Sequence, residues 1–131
     1  DRLSDEAYLA IKGSTDSEHF FALLLDVLQA NPSANLEQAL QTALLKLDEL
    51  AKSHQVAASA NMIVSDGHQL VASRFASDKQ PPSLYWLRDD PAFPEAVIIA
   101  SEPMFEGNWN SFPEQSIISV GEDLEIEIYQ V

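Results

Sequence analysis

Two segments with a helical spacing of apolar residues open the chain. The first begins near Thr15, runs through the almost continuously apolar stretch 20–28, and is ended by Asn31-Pro32. The second extends from about Leu36 to Ser53, with leucine and alanine every three or four residues, and Asn35 precedes it as a candidate N-cap. Because the first helix is apolar almost all round, we expect it to be deeply buried, with protein on both of its sides.

After His54 the pattern changes to short apolar or alternating runs, which are typical of β-strands. Predicted strands cover Val56–Val64, Leu70–Phe75, Leu84–Leu87, Ala96–Ala100, Ile117–Val120 and the alternating stretch from Leu124 to Ile128. Asp66-Gly67 predicts a hairpin turn between the first two. We therefore expect an α+β fold, with two helices side by side on one face of an antiparallel sheet.

Composition narrows the functional classes. The sequence has 131 residues, the size of one domain, and 46% of them are hydrophobic, as in globular proteins. Its net charge of −14 repels nucleic-acid phosphates and anionic lipid head groups, so we expect neither nucleic acid nor membrane as a partner. No apolar run has the length of about 20 residues that a membrane span requires.

The sequence contains no cysteine, which excludes disulfides, thiolate metal sites and thiol nucleophiles within it. Its three histidines, His19, His54 and His68, are scattered and lack the spacing of a metal motif. We therefore expect no metal and no cofactor. A cytoplasmic location fits this composition.

Three stretches carry a resemblance to one family. They are Gly13–Phe21, the hairpin region Asn61–Phe75, and Val97–Pro103 with Trp109 and Pro113 downstream. In their order and spacing they resemble the class II glutamine amidotransferase domain, and most closely its small stand-alone γ-glutamyl hydrolases of ergothioneine biosynthesis and glutathione degradation. The resemblance covers about Ile11 to Val131.

This resemblance implies a four-layer αββα sandwich, the fold of the N-terminal-nucleophile (Ntn) hydrolases. It implies that residues 1–131 are the C-terminal part of one such domain. In the family an N-terminal cysteine attacks the side-chain amide of glutamine, and water or an acceptor resolves the γ-glutamyl thioester. That cysteine would belong to a preceding segment or a partner chain, so we expect no catalytic residue in this sequence.

The resemblance also implies one substrate-binding residue, Asp16, whose carboxylate would bind the α-ammonium group of the substrate. A structural alternative remains open, because Thr15 and Glu18 have the spacing of a capping box that only stabilises the helix start. Thr15 is accordingly a weaker site candidate.

Three further residues are weaker candidates for the site. Arg74 lies in a predicted strand, where it could face a carboxylate in the site or pair with one of the many surface acids. Ser101 and Glu102 follow a predicted strand and could lie in a site loop. The sequence does not distinguish glutamine from other γ-glutamyl substrates.

Three functions remain open at this stage. The first is an enzyme component, a γ-glutamyl amide hydrolase or amidotransferase completed by a missing N-terminal segment. The second is a non-catalytic relic that serves in binding or assembly, and the third is a generic acidic α+β interaction domain. If the chain is part of a sandwich, we expect an open sheet edge or a bare apolar face.

Overall fold

The structure, a computed structural model, describes residues 17–77 and 80–131, with side chains from residue 20 onward. Within these two ranges, two helices are followed by seven strands, all of them paired antiparallel. The helices are α1 (Ser17–Ala30) and α2 (Leu36–Ser53), and the strands are β1 (Met62–Ser65), β2 (Leu70–Arg74), β3 (Tyr85–Asp90), β4 (Phe93–Ala100), β5 (Asn110–Ser111), β6 (Ser116–Val120) and β7 (Ile126–Gln130).

The start of α2 is fixed by its cap. Asn35 accepts a hydrogen bond from the Gln38 amide through its side chain, and the Gln38 side chain accepts one from the Asn35 amide. These reciprocal bonds form a capping box, which satisfies two amides that the helix itself leaves unpaired. The predicted bounds of this helix, Leu36 to Ser53, are confirmed, and the first helix ends one residue before Asn31.

A four-stranded sheet in the order β1-β2-β6-β7 forms the middle layer. Its strands alternate strictly: Val71, Phe75 and Ile117 join the core beneath the helices, whereas Ala72 and Ile118 belong to a second core on the opposite face. Because both faces are covered at the centre, β2 and β6 are almost entirely buried.

A second sheet, in the order β4-β3-β5, packs on that opposite face. Leu84, Phe112 and Val120 fill the space between the two sheets with Ala72 and Ile118. The described residues therefore form three layers, a helix pair and two sheets, and the α+β prediction is confirmed. The prediction of one antiparallel sheet after Val56 needs a correction in number only: the strands after Pro81-Pro82, together with β5, form a second sheet, and the αββα sandwich that the resemblance implies has two.

The predicted strand over Val56–Val64 is also wrong in extent. Only Met62–Ser65 forms a strand, and Ser59 makes an isolated bridge with Ala76. Upstream, the Ser77 amide donates to Ala58 O, but the Ala58 amide donates to the Ser77 hydroxyl, so the pairing continues there without forming a regular ladder.

One side of α1 is less buried than its sequence predicts. Phe20, Leu23, Leu24 and Val27 are buried, but Phe21 and Leu25 are 47% and 46% exposed. Within the described part of the chain, nothing covers that second side. Neither α1 nor α2 is long and apolar enough to cross a membrane.

Candidate active-site region

Arg74, one of the predicted site residues, lies at one end of the four-stranded sheet, where β2 finishes and β6 begins at Ser116. We call this the Arg74 end. The start of α2 lies at the opposite end, because Glu37 accepts a hydrogen bond from the Gln69 side chain at 3.0 Å. The chain leaving α2 comes to the Arg74 end, since the Ala60 amide donates to Phe75 O at 2.8 Å.

The start of α1 lies at the Arg74 end as well. Only residues 31–35 connect α1 to α2, so the two helices form an antiparallel hairpin. Fourteen residues of α1 span about 20 Å, which is comparable to the length of a strand and its turn. Ser17, the first residue of α1, is therefore at the end of the helix layer away from Gln69.

Arg74 is buried, with 7% of its surface exposed, and it holds together the loops at this end. Its Nη1 donates to Phe112 O at 2.7 Å, its Nη2 to Pro81 O at 3.1 Å, and its Nε to Pro82 O at 2.9 Å. The planar guanidinium matches three carbonyls in fixed directions, which an ammonium group does not do. No carboxylate within the described residues forms an ion pair with it.

The prediction that Arg74 pairs with a surface acid is therefore wrong. Its physical reason is the alternation of β2, which turns this side chain into the space between the sheets, where main-chain carbonyls of two loops need donors. The same contacts occupy all three types of guanidinium nitrogen, so the described geometry supports a structural role for Arg74 and not a contact with a substrate carboxylate.

Two amide side chains fix the neighbouring loop segments. Asn61 donates from Nδ2 to Pro82 O at 2.9 Å and accepts from the Phe75 amide at 3.2 Å. Gln115 bonds both the amide and the carbonyl of Ala76, each at 2.9 Å. Sequence reasoning missed these two residues. The available signal was one amide side chain inside the predicted strand Val56–Val64 and another two residues before the predicted strand Ile117–Val120.

Ser101 and Glu102 are exposed and lie at the end of β4. The Ser83 hydroxyl donates to Ser101 O at 2.9 Å, and Ser83 directly follows the Pro82 carbonyl that Arg74 binds. The structure thus brings Ser101 to the Arg74 end through the segment 81–83, and leaves its hydroxyl and the Glu102 carboxylate toward solvent.

Asp16 and Thr15, the remaining predicted site residues, lie outside the described residues, and so does the proposed capping box with Glu18. What the structure gives is the place where α1 begins, one residue after Asp16 in the sequence. The substrate-binding role of Asp16 therefore stays a prediction.

A second polar cluster joins the start of α2 to β7. Tyr129 donates its hydroxyl to Glu127 at 2.7 Å, and a carboxylate oxygen of Glu37 lies 3.2 Å from the same hydroxyl. The hydrogen bond to Glu127, partial burial and the charge of Glu37 all raise the pKa of Tyr129 well above its usual value. A phenol that keeps its proton here links the start of α2 to β7, where Tyr129 pairs with Ile117, one position from the Ser116–Arg74 pair.

Two surface cavities also lie away from the Arg74 end. One, of about 320 Å³, opens between the helices beside Asp26, Gln38 and Lys46. The other, of about 500 Å³, lies beside Arg88 and Asp123 near the β6–β7 turn. Across residues 17–77 and 80–131, no group of three or more histidine and carboxylate side chains could hold a metal ion.

Comparison with known proteins supplies what the geometry alone does not. The family model for class-II glutamine amidotransferases matches residues 4–104. The probable glutamine amidotransferase DUG3 of Saccharomyces cerevisiae is 28% identical over 156 residues, a match that covers 90% of this chain and 43% of the yeast protein.

A solved structure agrees with these matches. The glutamine aminotransferase class-II domain protein of Silicibacter pomeroyi superposes with a TM-score of 0.67 at 32% identity, covering 98% of this chain and 57% of that one. The chain thus spans about half the length of the relatives it matches. Since the family model covers well over half of the sequence, the chain belongs to the class-II glutamine amidotransferases.

Proposed function

We propose that this chain is the C-terminal part of a γ-glutamyl amide hydrolase or amidotransferase of the cytoplasm. The observation that carries the proposal is the family match over residues 4–104, which includes the start of α1 and the hairpin of β1 and β2. The relatives are about twice as long as the match, which leaves room for the segment that supplies the nucleophile.

In this proposal the cysteine thiolate of that segment attacks the side-chain amide carbon of glutamine or of another γ-glutamyl compound. Ammonia or an amine leaves, a γ-glutamyl thioester forms, and water releases glutamate and restores the thiol. Asp16 would hold the α-ammonium of the substrate through a charge-assisted hydrogen bond, which fixes where the amide lies.

The described residues contribute the frame of the site. Arg74, Asn61 and Gln115 hold the segments 75–77, 80–83 and 112–115. Their side chains donate five hydrogen bonds to main-chain carbonyls and accept two from main-chain amides. A rigid surround of this kind keeps a binding residue within the small tolerance that catalysis requires. Ser101 and Glu102 border the same end and remain candidates for contacts with the substrate.

The experiment is an assay of glutamate release by the complete protein, with glutamine and γ-glutamyl peptides as substrates. Asp16→Asn keeps the shape of the side chain and removes its charge, so kcat/KM should fall at least about tenfold, as expected for loss of a buried charge-assisted bond. Asp26→Asn is the matched control, because Asp26 lies exposed on α1 and its loss changes the net charge equally.

The two variants separate substrate binding from helix capping. If Asp16→Asn retained the wild-type kcat/KM and only lowered the melting temperature, Asp16 would be a capping residue and the assignment would fail. If the complete protein released no glutamate from any γ-glutamyl compound, the second function, a non-catalytic binding or assembly subunit, would replace the first. That function is favoured by one observation, the lack of cysteine in these 131 residues.

A further inference from the structure

The turn between β1 and β2 contains a chemically reactive pair of residues. Asp66 is followed by Gly67, and this is the only Asp-Gly pair in the sequence. An aspartate isomerises when the amide nitrogen of the next residue attacks its side-chain carbonyl carbon, and glycine hinders that attack least because it has no Cβ. Both residues are exposed, and apart from the chain neighbours of Gly67 no described atom lies within 4 Å of the place that a Cβ on Gly67 would occupy. The turn therefore has the space that this reaction needs.

The closed turn keeps the carbonyl carbon of Asp66 in an unreactive form. Its Oδ1 accepts hydrogen bonds from the amides of Gln69 and His68, both at 2.9 Å. These two bonds stabilise the carboxylate and hold the pKa of Asp66 below its usual value. An ionised carboxylate resists attack, because one of its oxygens must be protonated before it can leave as water. The reaction is therefore disfavoured as long as the two amides stay in place.

The attacking nitrogen is also held by the closed turn. The Gly67 amide donates to the Ser65 hydroxyl at 3.2 Å, and that hydroxyl donates to Gln69 O at 3.1 Å. The Asp66 amide donates to the same carbonyl at 3.3 Å. To attack, the Gly67 nitrogen must lose its proton and approach the side chain of Asp66, which breaks its bond to Ser65. The Ser65 hydroxyl thus joins the two ends of the turn and restrains the nucleophile.

From this arrangement we propose that Asp66 is a site of spontaneous modification to isoaspartate, which proceeds when the turn 65–69 opens and which the Ser65 hydroxyl suppresses while the turn is closed. In the first step a bond forms between the Gly67 nitrogen and Cγ of Asp66. The amide proton and the hydroxyl of the neutral carboxyl group leave together as water, and a cyclic succinimide remains.

Water then opens the succinimide at one of its two carbonyl carbons. Addition at Cγ breaks the new bond and restores aspartate. Addition at the main-chain carbonyl carbon of Asp66 breaks the original peptide bond to Gly67, so the main chain now runs through Cβ and Cγ, and the former main-chain carbonyl becomes a free carboxylate. One water leaves and one is taken up, so the conversion changes no mass and needs no oxidant or further reactant.

The modification would alter the hairpin and its contact with the helix layer. Isoaspartate makes the main chain of the turn one carbon longer, next to the pair that Ser65 forms with Leu70. It also removes the side-chain carboxylate from the place where it accepts the two amides. Gln69 donates from Nε2 to Glu37 at 3.0 Å, so a displaced turn also disturbs the start of α2. We therefore expect the modified protein to unfold at a lower urea concentration than the unmodified protein.

Peptide mapping of the aged complete protein tests the proposal. After prolonged incubation and digestion, the isoaspartate peptide is separated from its isomer of equal mass and identified by electron-transfer fragmentation. Isoaspartate should accumulate faster at Asp66 than at any other aspartate, and at least about tenfold faster in urea that unfolds the protein than in buffer, because unfolding removes the closed turn. Asp123 is the internal control: its Oδ1 accepts from the Glu125 amide in another turn, but leucine follows it. No isoaspartate at Asp66 in urea, or equal rates in urea and buffer, would overturn the proposal.

A pair of serine variants tests the role of the hydroxyl. Ser65→Ala removes the acceptor of the Gly67 amide and should raise the rate at Asp66 in buffer by at least about threefold, as loss of one neutral hydrogen bond allows. Ser33→Ala, which removes a hydroxyl bonded to the Asn31 side chain in another exposed loop, should leave that rate unchanged. In urea all three proteins should react at the same rate. A wild-type rate for Ser65→Ala in buffer, or an increase of the same size in urea, would show that Ser65 does not act through the closed turn.

Discussion

Replacing Arg74 with methionine tests whether this residue is a structural clamp or a substrate ligand. Methionine retains an unbranched apolar stem and removes the guanidinium. The carbonyls of Pro81, Pro82 and Phe112 then lose a charged donor. Pro82 O keeps the bond from Asn61, and Phe112 O keeps only a longer bond, of 3.3 Å, from the Ser111 hydroxyl, so two of the three carbonyls lose their main side-chain partner.

The magnitude follows from these bonds. A hydrogen bond to a charged group contributes about 1.5–3 kcal/mol, so losing two of them should lower the free energy of unfolding by roughly 3–5 kcal/mol. Domains of this size have only about 5–15 kcal/mol to lose. Arg74→Met should therefore be folded but marginal, and the loop 75–83 should open more often than the rest of the molecule.

Urea unfolding of the complete protein measures the free energy, and limited proteolysis measures opening of the loop. Arg74→Lys is the matched control: it keeps the charge and one or two of the three bonds, so it should lie between the wild type and Arg74→Met. If Arg74→Met unfolded at the wild-type urea concentration and only KM for glutamine rose, Arg74 would be a substrate ligand and the clamp assignment would be wrong.

Two further predictions concern stability. Asn35→Ala removes one half of the capping box with Gln38 and should lower the free energy of unfolding by about 1 kcal/mol. Ser33→Ala, a change in the exposed loop two residues earlier, is the control and should not lower it. Equal urea midpoints for the two variants would refute the role of the cap. The raised pKa of Tyr129 means that its contribution to stability is fully present below about pH 10, the usual pKa of tyrosine, and is lost as the pH rises beyond it. Tyr129→Phe should therefore be less stable than wild type at pH 7, and this difference in stability should shrink above about pH 10. A difference in urea midpoint that is the same at both pH values would show that the Tyr129 hydroxyl does not contribute in this way.

The helical part of the fold could be predicted from the sequence because its determinants are local. Asn35 stands immediately before a regular stripe of leucine and alanine, and the cap and the stripe specify the same bounds. Asp66-Gly67 likewise specifies its own turn, since the Asp66 side chain accepts hydrogen bonds from the amides of residues 68 and 69. Those two bonds also lower the pKa of Asp66.

The division into two sheets could not be predicted in this way, because it depends on contacts between distant residues. Arg74 illustrates the limit. Its carbonyl partners are 7, 8 and 38 residues further along the chain, and nothing in the local pattern of β2 specifies them. Periodicity predicted a strand at β2. The loops that the Arg74 side chain contacts depend instead on how the chain before β3 crosses to the other face of the sheet.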